Sequence, residues 1–182
     1  SIIYSVLKYG ELDNGLEYAV TKNSNDEKEA YITKFEHEYP YDQSQISVVI
    51  PDYVDDVPVT VIDSNAFYGN HFSGCASIDS IELPSTLLRI NDSAFYRCDS
   101  LKTIIMGNNI TYIDKGAFSL CNSLETIFYK GTVDDFSKID IDLNSNYMVN
   151  SFIPKVSYYS ESEPIDDTHT YWHYVDNEPT KW

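Results

Sequence analysis

The chain has 182 residues, a length that fits one domain and suffices to bury a hydrophobic core. Hydrophobic residues make up 42% of the sequence and charged residues 23%, a balance typical of globular rather than disordered proteins. The net charge of −17 disfavours binding to the phosphates of nucleic acids. No apolar run approaches the roughly 18 residues of a membrane span. Residues 1–6 do not resemble a secretion signal, so we expect that any such signal has been removed or never existed.

The N-terminal part of the sequence predicts a small antiparallel sheet. Ile2–Tyr9, Leu16–Thr21 and Ala30–Phe35 are rich in β-branched and aromatic residues and are strand candidates. Asp13-Asn14-Gly15 separates the first two candidates and is a turn signal. We expect this sheet to lead into the segment that follows.

The middle of the chain contains an internal repeat of 23 residues. Three cysteines recur at that interval, and apolar residues follow each cysteine at the same offsets. The aligned apolar sets are Ile78, Leu101 and Leu124; Ile81, Ile104 and Ile127; and Leu83, Met106 and Tyr129. Apolar residues two positions apart predict a strand with one face turned inward. Because so short a unit cannot close a core alone, the repeats must stack on one another as coils of a solenoid.

The cysteines Cys75, Cys98 and Cys121 are interpreted as a buried ladder of small side chains at one position of successive coils. An odd number at a fixed period is not typical of a disulfide framework, and metal sites usually carry closely paired cysteines. Adjacent coils stack at about strand spacing, so a disulfide between two of them is sterically possible. It is not the state that we expect.

Each unit also contains an Ala-Phe pair, which stands three residues after a residue suited to capping the N-terminus of a helix. These residues are Asp63, Asn91 and Asp114, and each phenylalanine stands at the position of a hydrophobic staple. The repeat is therefore predicted to run strand, bend, short capped helical turn, bend. One unit has five extra residues within Tyr68–Gly74, which predict a surface loop.

The repeat resembles the BspA-type (Treponema pallidum-type) leucine-rich repeats of bacterial surface proteins. The resemblance rests on Leu-x-x-Ile-x-Ile-Pro, then Val-x-x-Ile, then Ala-Phe-x-x-Cys, and it covers roughly Val48 to Asp142. Ile127–Phe136 is similar to the usual final unit of the family, and Tyr171–Trp182 to a closing segment common in these proteins. The resemblance implies a right-handed leucine-rich-repeat solenoid that is exported to the cell surface for adhesion or protein binding. It implies no catalytic residues.

A stack of coils exposes its interior at both ends, which predicts capping segments. We assign residues 1–45 to an N-terminal β cap, 46–155 to the solenoid, and 156–182 to a C-terminal aromatic cap or tail. Trp172 and Trp182 are expected to cover the last coil. The predicted fold is an α/β repeat solenoid, a short right-handed leucine-rich-repeat superhelix that is strand-rich, has short helical turns and carries β caps at both ends.

The candidate binding surface is the outward side of the repeat strands, which we call the strand face and define by Glu82, Thr103, Ile105, Thr126 and Phe128. These residues alternate with the inward positions of the strands. Ile105 beside Phe128 would form an exposed apolar pair with threonines at its rim, and such a patch can mark a binding site. Coverage of Phe128 by the C-terminal cap is equally compatible with the sequence.

The sequence carries no common catalytic, nucleotide-binding or calcium-loop motif. His169 and His173 would lie about 13 Å apart on an extended chain, too far to share a metal ion. We therefore predict a non-catalytic extracellular interaction module without cofactor or metal, whose partner is an extracellular protein or glycan and not a nucleic acid. Two alternatives stay open: a structural spacer or stalk without its own ligand, and a carboxylate-based enzyme or metal-binding protein.

Overall fold

Two β-sheets organise the computed structural model, which describes residues 6–36, 46–69, 74–144 and 151–182. Sheet A consists of β1 (Lys8–Glu11), β2 (Leu16–Lys22), β3 (Lys28–Phe35), β5 (Tyr53–Val54), β6 (Val57–Ile62), β8 (Arg89–Ile90), β10 (Tyr112–Ile113) and β12 (Asp140–Ile141). Its order is β1-β2-β3-β6-β8-β10-β12, with β5 paired to β6. The pairs from β1 to β3 are antiparallel, and those from β3 through β12 are parallel.

Sheet B contains the strands that the repeat predicts. It consists of β4 (Ile46–Val49), β7 (Ile78–Glu82), β9 (Thr103–Met106), β11 (Thr126–Tyr129), β13 (Val156–Tyr159), β14 (Thr170–Val175) and β15 (Glu178–Lys181). All pairs from β4 through β14 are parallel, and β15 returns antiparallel to β14. Because strands of the two sheets alternate along the repeats, each repeat makes one circuit that visits sheet B and then sheet A.

The predicted ladders of matching side chains are confirmed. Ile81 pairs in register with Ile104, and Ile104 with Ile127, and all three side chains are buried in one core. The phenylalanines of the Ala-Phe pairs form a second ladder. One further phenylalanine ring stacks at each end of this ladder. Successive ring centroids from Phe35 through Phe67, Phe95 and Phe118 to Phe152 lie 5.3, 4.8, 5.0 and 4.6 Å apart. Stacked coils that share one dry interior produce this arrangement.

The segments in front of the phenylalanines are tight turns, so the prediction of short capped helical turns is wrong. The backbone N–H groups of Ala66, Ala94 and Ala117 each donate to the carbonyl three residues earlier. The residue before each alanine has a positive φ: 59° at Asn65, 56° at Ser93 and 67° at Gly116. A positive φ at the third residue is what a type II turn requires and a right-handed helix does not tolerate.

Helical structure within the described ranges is short. One α-helix, α1 (Val133–Ser137), two 3₁₀ helices, Gly74–Ser77 and Ile153–Lys155, and π-helical backbone at residues 151–152 are present there. Helix α1 begins with a capping box, in which Thr132 and Asp135 satisfy each other's backbone N–H groups.

Two of the cysteines form a disulfide, which corrects the expectation of three free thiols. Cys75 and Cys98 are bonded, with their Cα atoms 5.1 Å apart. The stacking of adjacent coils brings these Cα atoms close together. Their separation lies within the range that a disulfide spans. Cys121, one coil further, is a buried free thiol that donates to the carbonyl of Phe95 at 3.1 Å. Burial raises the pKa of Cys121 to about 12.

The predicted strands at the two ends are present, with shifted limits. Strand β1 begins at Lys8, whereas residues 2–5 of the predicted strand Ile2–Tyr9 lie outside the described ranges. The boundary predicted at residue 45 and residues 70–73 of the predicted surface loop also lie outside them. Strand β3 pairs with β6 at one end of the repeats, and β13 pairs with β11 at the other.

Candidate functional site

The register of sheet B brings the five residues of the strand face together. Glu82, Ile105 and Phe128 are direct partners across β7, β9 and β11 and form one row. Thr103 and Thr126 are partners in the neighbouring row. Since adjacent strands lie about 4.8 Å apart, each row is a line of touching side chains. The alternation predicted from the sequence therefore assembles a continuous surface.

Exposure differs among the five residues. Glu82, Thr103, Ile105 and Phe128 are half-buried, whereas Thr126 is only 7% exposed and does not form an open rim. The Phe128 ring packs edge-to-face on Trp172, with centroids 5.3 Å apart. Trp172 in the C-terminal segment thus covers part of the Phe128 ring, and the rest of the side chain stays accessible.

Trp172 is the centre of an aromatic cluster at the C-terminal edge of the strand face. Its side chain is fully buried, and its indole Nε1–H donates to the carbonyl of Tyr129 at 2.8 Å. The rings of Tyr159 and Tyr174 pack against it with centroids 5.2 and 5.0 Å away. Trp182 differs, since it is 46% exposed and stacks on His173 at 3.8 Å. Of the two tryptophans, only Trp172 is fully buried.

An ion pair that the sequence did not reveal spans the strand face. The Lys130 ammonium donates to Glu82 Oε1 at 3.1 Å, which links strand β7 to the end of β11. Burial opposes the charge of Lys130, but its hydrogen bond with Glu82 and its charge interactions with Glu82 and Tyr174 together outweigh burial and raise the pKa of Lys130. Lys130 stands two residues after Phe128, so strand alternation was the signal that could have placed it here.

The described residues were also compared with the requirements of a metal site. Within the described ranges, no three His, Cys, Asp or Glu side chains are grouped so that they could hold a metal ion. His169 lies 3.2 Å from Asp166 Oδ2, and His173 lies on the extended strand β14. In the same ranges, no helix has the length and apolar character of a membrane span.

The chain is similar to leucine-rich repeat proteins in both sequence and structure. The family described as BspA type leucine rich repeat region matches residues 41–158 in six copies. A leucine-rich repeat protein of T. pallidum is 26% identical, with a TM-score of 0.51, over 69% of this chain and 56% of that one. A leucine-rich repeat protein from Bacteroides capillosus is 22% identical, with a TM-score of 0.54, over 75% of this chain and 88% of that one.

The two structural matches and the family match support different conclusions. The chain spans little more than half the length of the T. pallidum protein, and the likeness to the B. capillosus protein concerns the fold. A comparison with curated proteins found no match. The family match covers more than half of the chain, and the stacked ladders agree with it. The chain therefore belongs to the BspA-type leucine-rich repeat family.

Proposed function

We propose that the chain is a non-catalytic interaction module of a bacterial cell-surface or secreted protein, and that it binds an extracellular protein through the strand face. Membership of the leucine-rich repeat family supports the interaction role, although a fold alone does not assign a partner. The observation that carries the proposal is the row of Glu82, Ile105 and Phe128.

The strand face combines the two features that protein interfaces use. Ile105 and Phe128 form a partly exposed apolar centre, and Glu82 and Lys130 place a charge pair beside it. Interfaces bury an apolar centre for affinity, and a polar rim selects the partner. The face is built on the parallel strands of sheet B, so its side chains are held by the core instead of a loop.

The disulfide supports a location outside the cell. Bonds of this kind persist in oxidising compartments and are rare in the reducing cytosol. The link between Cys75 and Cys98 suits a protein exported to the cell surface, where an adhesive role would be exercised. The net charge of −17 favours solubility there.

The terminal strands fit the role of caps on a right-handed superhelix, with residues 1–45 and 156–182 as caps and 46–155 as the solenoid. Phe35, in the N-terminal cap, stacks on Phe67, the first ring of the repeats. Trp172 covers part of the last repeat strand. Coverage of this kind removes the exposed interior that a stack of coils would otherwise present.

A charge placed on the strand face tests the proposal. The purified chain and its Ile105→Glu variant are compared for binding to a panel of immobilised extracellular-matrix proteins. The matched control is Leu88→Glu, since Leu88 is an exposed aliphatic residue outside the strand face. We expect affinity to fall at least about tenfold for Ile105→Glu, as at a central interface position, with Leu88→Glu unchanged.

Other outcomes of these measurements would contradict the strand face or favour the alternative functions. Binding that is equal in both variants would contradict the strand face, and the absence of any binding would favour a spacer or stalk. A stoichiometric metal ion in the purified protein would favour a metal-dependent role.

A further inference from the structure

The outer side of sheet A carries a groove that lies away from the strand face. Its volume is about 380 Å³, within the range of small-molecule sites. Alternate residues of β2 face opposite sides of the sheet: Tyr18 and Val20 enter the core, whereas Ala19 and Thr21 line the groove. The groove therefore has an ordered strand surface as its floor.

Two polar atoms at this groove are buried without a hydrogen-bond partner among the described residues. They are Oγ1 of Thr21, whose residue is only 4% exposed, and Oδ1 of Asn91. Both residues line the groove. Buried polar atoms are almost always paired, because an unpaired one costs about 1–3 kcal/mol. Two such atoms at one groove leave hydrogen bonds for a bound ligand or water to make.

The remaining walls define the chemistry of that ligand. Tyr9 and Tyr31 supply aromatic rings, and Arg89 and Asp63 supply one positive and one negative charge. The Arg89 guanidinium is held 5.3 Å from the ring centroid of Tyr112, and Asp63 accepts from the Asn91 amide at 3.2 Å. The opposite charges favour a neutral ligand, and the net charge of −17 disfavours an anion. An apolar ligand would leave Thr21 and Asn91 unpaired.

We propose that this groove binds a neutral saccharide residue. A sugar hydroxyl both donates and accepts, so neighbouring hydroxyls can pair with the Thr21 hydroxyl, the Asn91 carbonyl oxygen and the Arg89 N–H groups at once. The C–H face of a sugar ring packs on tyrosine, whose ring is apolar and whose hydroxyl is polar. The site lies on a different sheet from the strand face, so the two proposals fail independently.

Thr21→Val is the sharpest variant, because it keeps the shape of the side chain and removes only the unpaired hydroxyl. A structural hydroxyl would lower stability when removed, whereas removal of an unpaired one leaves stability equal or higher. We expect saccharide affinity to fall roughly three- to tenfold, the equivalent of one hydrogen bond. Thr180→Val, at an exposed position of β15, is the matched control and should leave the affinity unchanged.

The experiment is a titration of the whole chain, followed by NMR, with glucose, galactose, mannose, N-acetylglucosamine and N-acetylgalactosamine as methyl glycosides. Glucuronic acid and a short neutral peptide serve as comparison ligands. Saturable binding of a neutral sugar that weakens in Thr21→Val, or in Arg89→Ala if the first variant does not fold, supports the proposal. The proposal is overturned if no neutral sugar binds, if only the acid or the peptide binds, or if the folded variants bind as the original chain does.

Discussion

Cys75 and Cys98 stand 23 residues apart in the chain, and coil stacking brings their Cα atoms to 5.1 Å. The disulfide between them therefore ties two adjacent coils together at the same position of the repeat. Cys121 occupies that position in the next coil, where it stays a buried thiol.

Removal of this disulfide should destabilise the fold strongly. For Cys75→Ala/Cys98→Ala we expect the free energy of unfolding to fall by about 3 kcal/mol, because the closed loop no longer restricts the unfolded chain. Urea denaturation of both proteins measures the difference. A reductant should weaken the original chain and leave the double variant unchanged, and three titratable thiols in the denatured, non-reduced chain would contradict the disulfide.

The phenylalanine ladder should contribute more to stability than the rings on the surface. Phe95 is buried between two stacked rings, so Phe95→Ala should cost about 3–5 kcal/mol. Tyr68→Ala is the matched control, because Tyr68 stacks on Tyr96 but is 44% exposed; it should cost less than about 1.5 kcal/mol. Denaturation midpoints and slopes give both values, and similar costs would argue against a shared interior.

The stacking of coils could be predicted because it depends only on the repeat. Ile104 and Phe95 each pack between the equivalent residues of the preceding and following repeats, so the sequence period predicts their contacts. The turns were harder to predict, since Ser93 adopts a positive φ that its residue type does not favour, whereas Asn65 and Gly116 are of types that tolerate it.

The disulfide and the C-terminal edge of the strand face depend on distances that no local pattern contains. Three equally spaced cysteines are compatible with two pairings between adjacent coils or with none, and the sequence does not distinguish the pair of Cys75 with Cys98 that the structure contains. Likewise, the contact of Trp172 with Phe128 joins segments that lie far apart in sequence. Sequence could indicate an aromatic tail, but not which ring would cover the face.

The two tryptophans should differ clearly in fluorescence. In Trp182→Phe the remaining Trp172 is fully buried, so we expect blue-shifted emission that iodide quenches poorly. In Trp172→Phe the remaining Trp182 is 46% exposed and should emit further to the red and be quenched readily. Equal quenching in the two folded variants would contradict the burial of Trp172 against Phe128.

The capping box of helix α1 should make a contribution to stability that is lost in acid. Hydrogen bonds from the Thr132 backbone N–H and hydroxyl lower the pKa of Asp135. A lowered folded-state pKa means that the contribution is present above the ordinary value of 3.8 and is lost as pH falls through the folded value. In Thr132→Val one of the two donors is gone, so the pKa of Asp135 should rise part of the way back. NMR titration of the Asp135 carboxyl measures this, and an Asp135 pKa at or above 3.8 in the original chain would refute it.

The strand face is tested most directly by the methyl group of Ile105 during titration with a protein that the matrix screen identifies. We expect the Ile105 methyl resonance to shift and saturate with the partner, while the resonances of the exposed Leu88 methyls and the buried Ile104 methyl stay in place. A saturating titration in which Ile105 does not respond, or in which Leu88 responds instead, would show that the partner binds elsewhere.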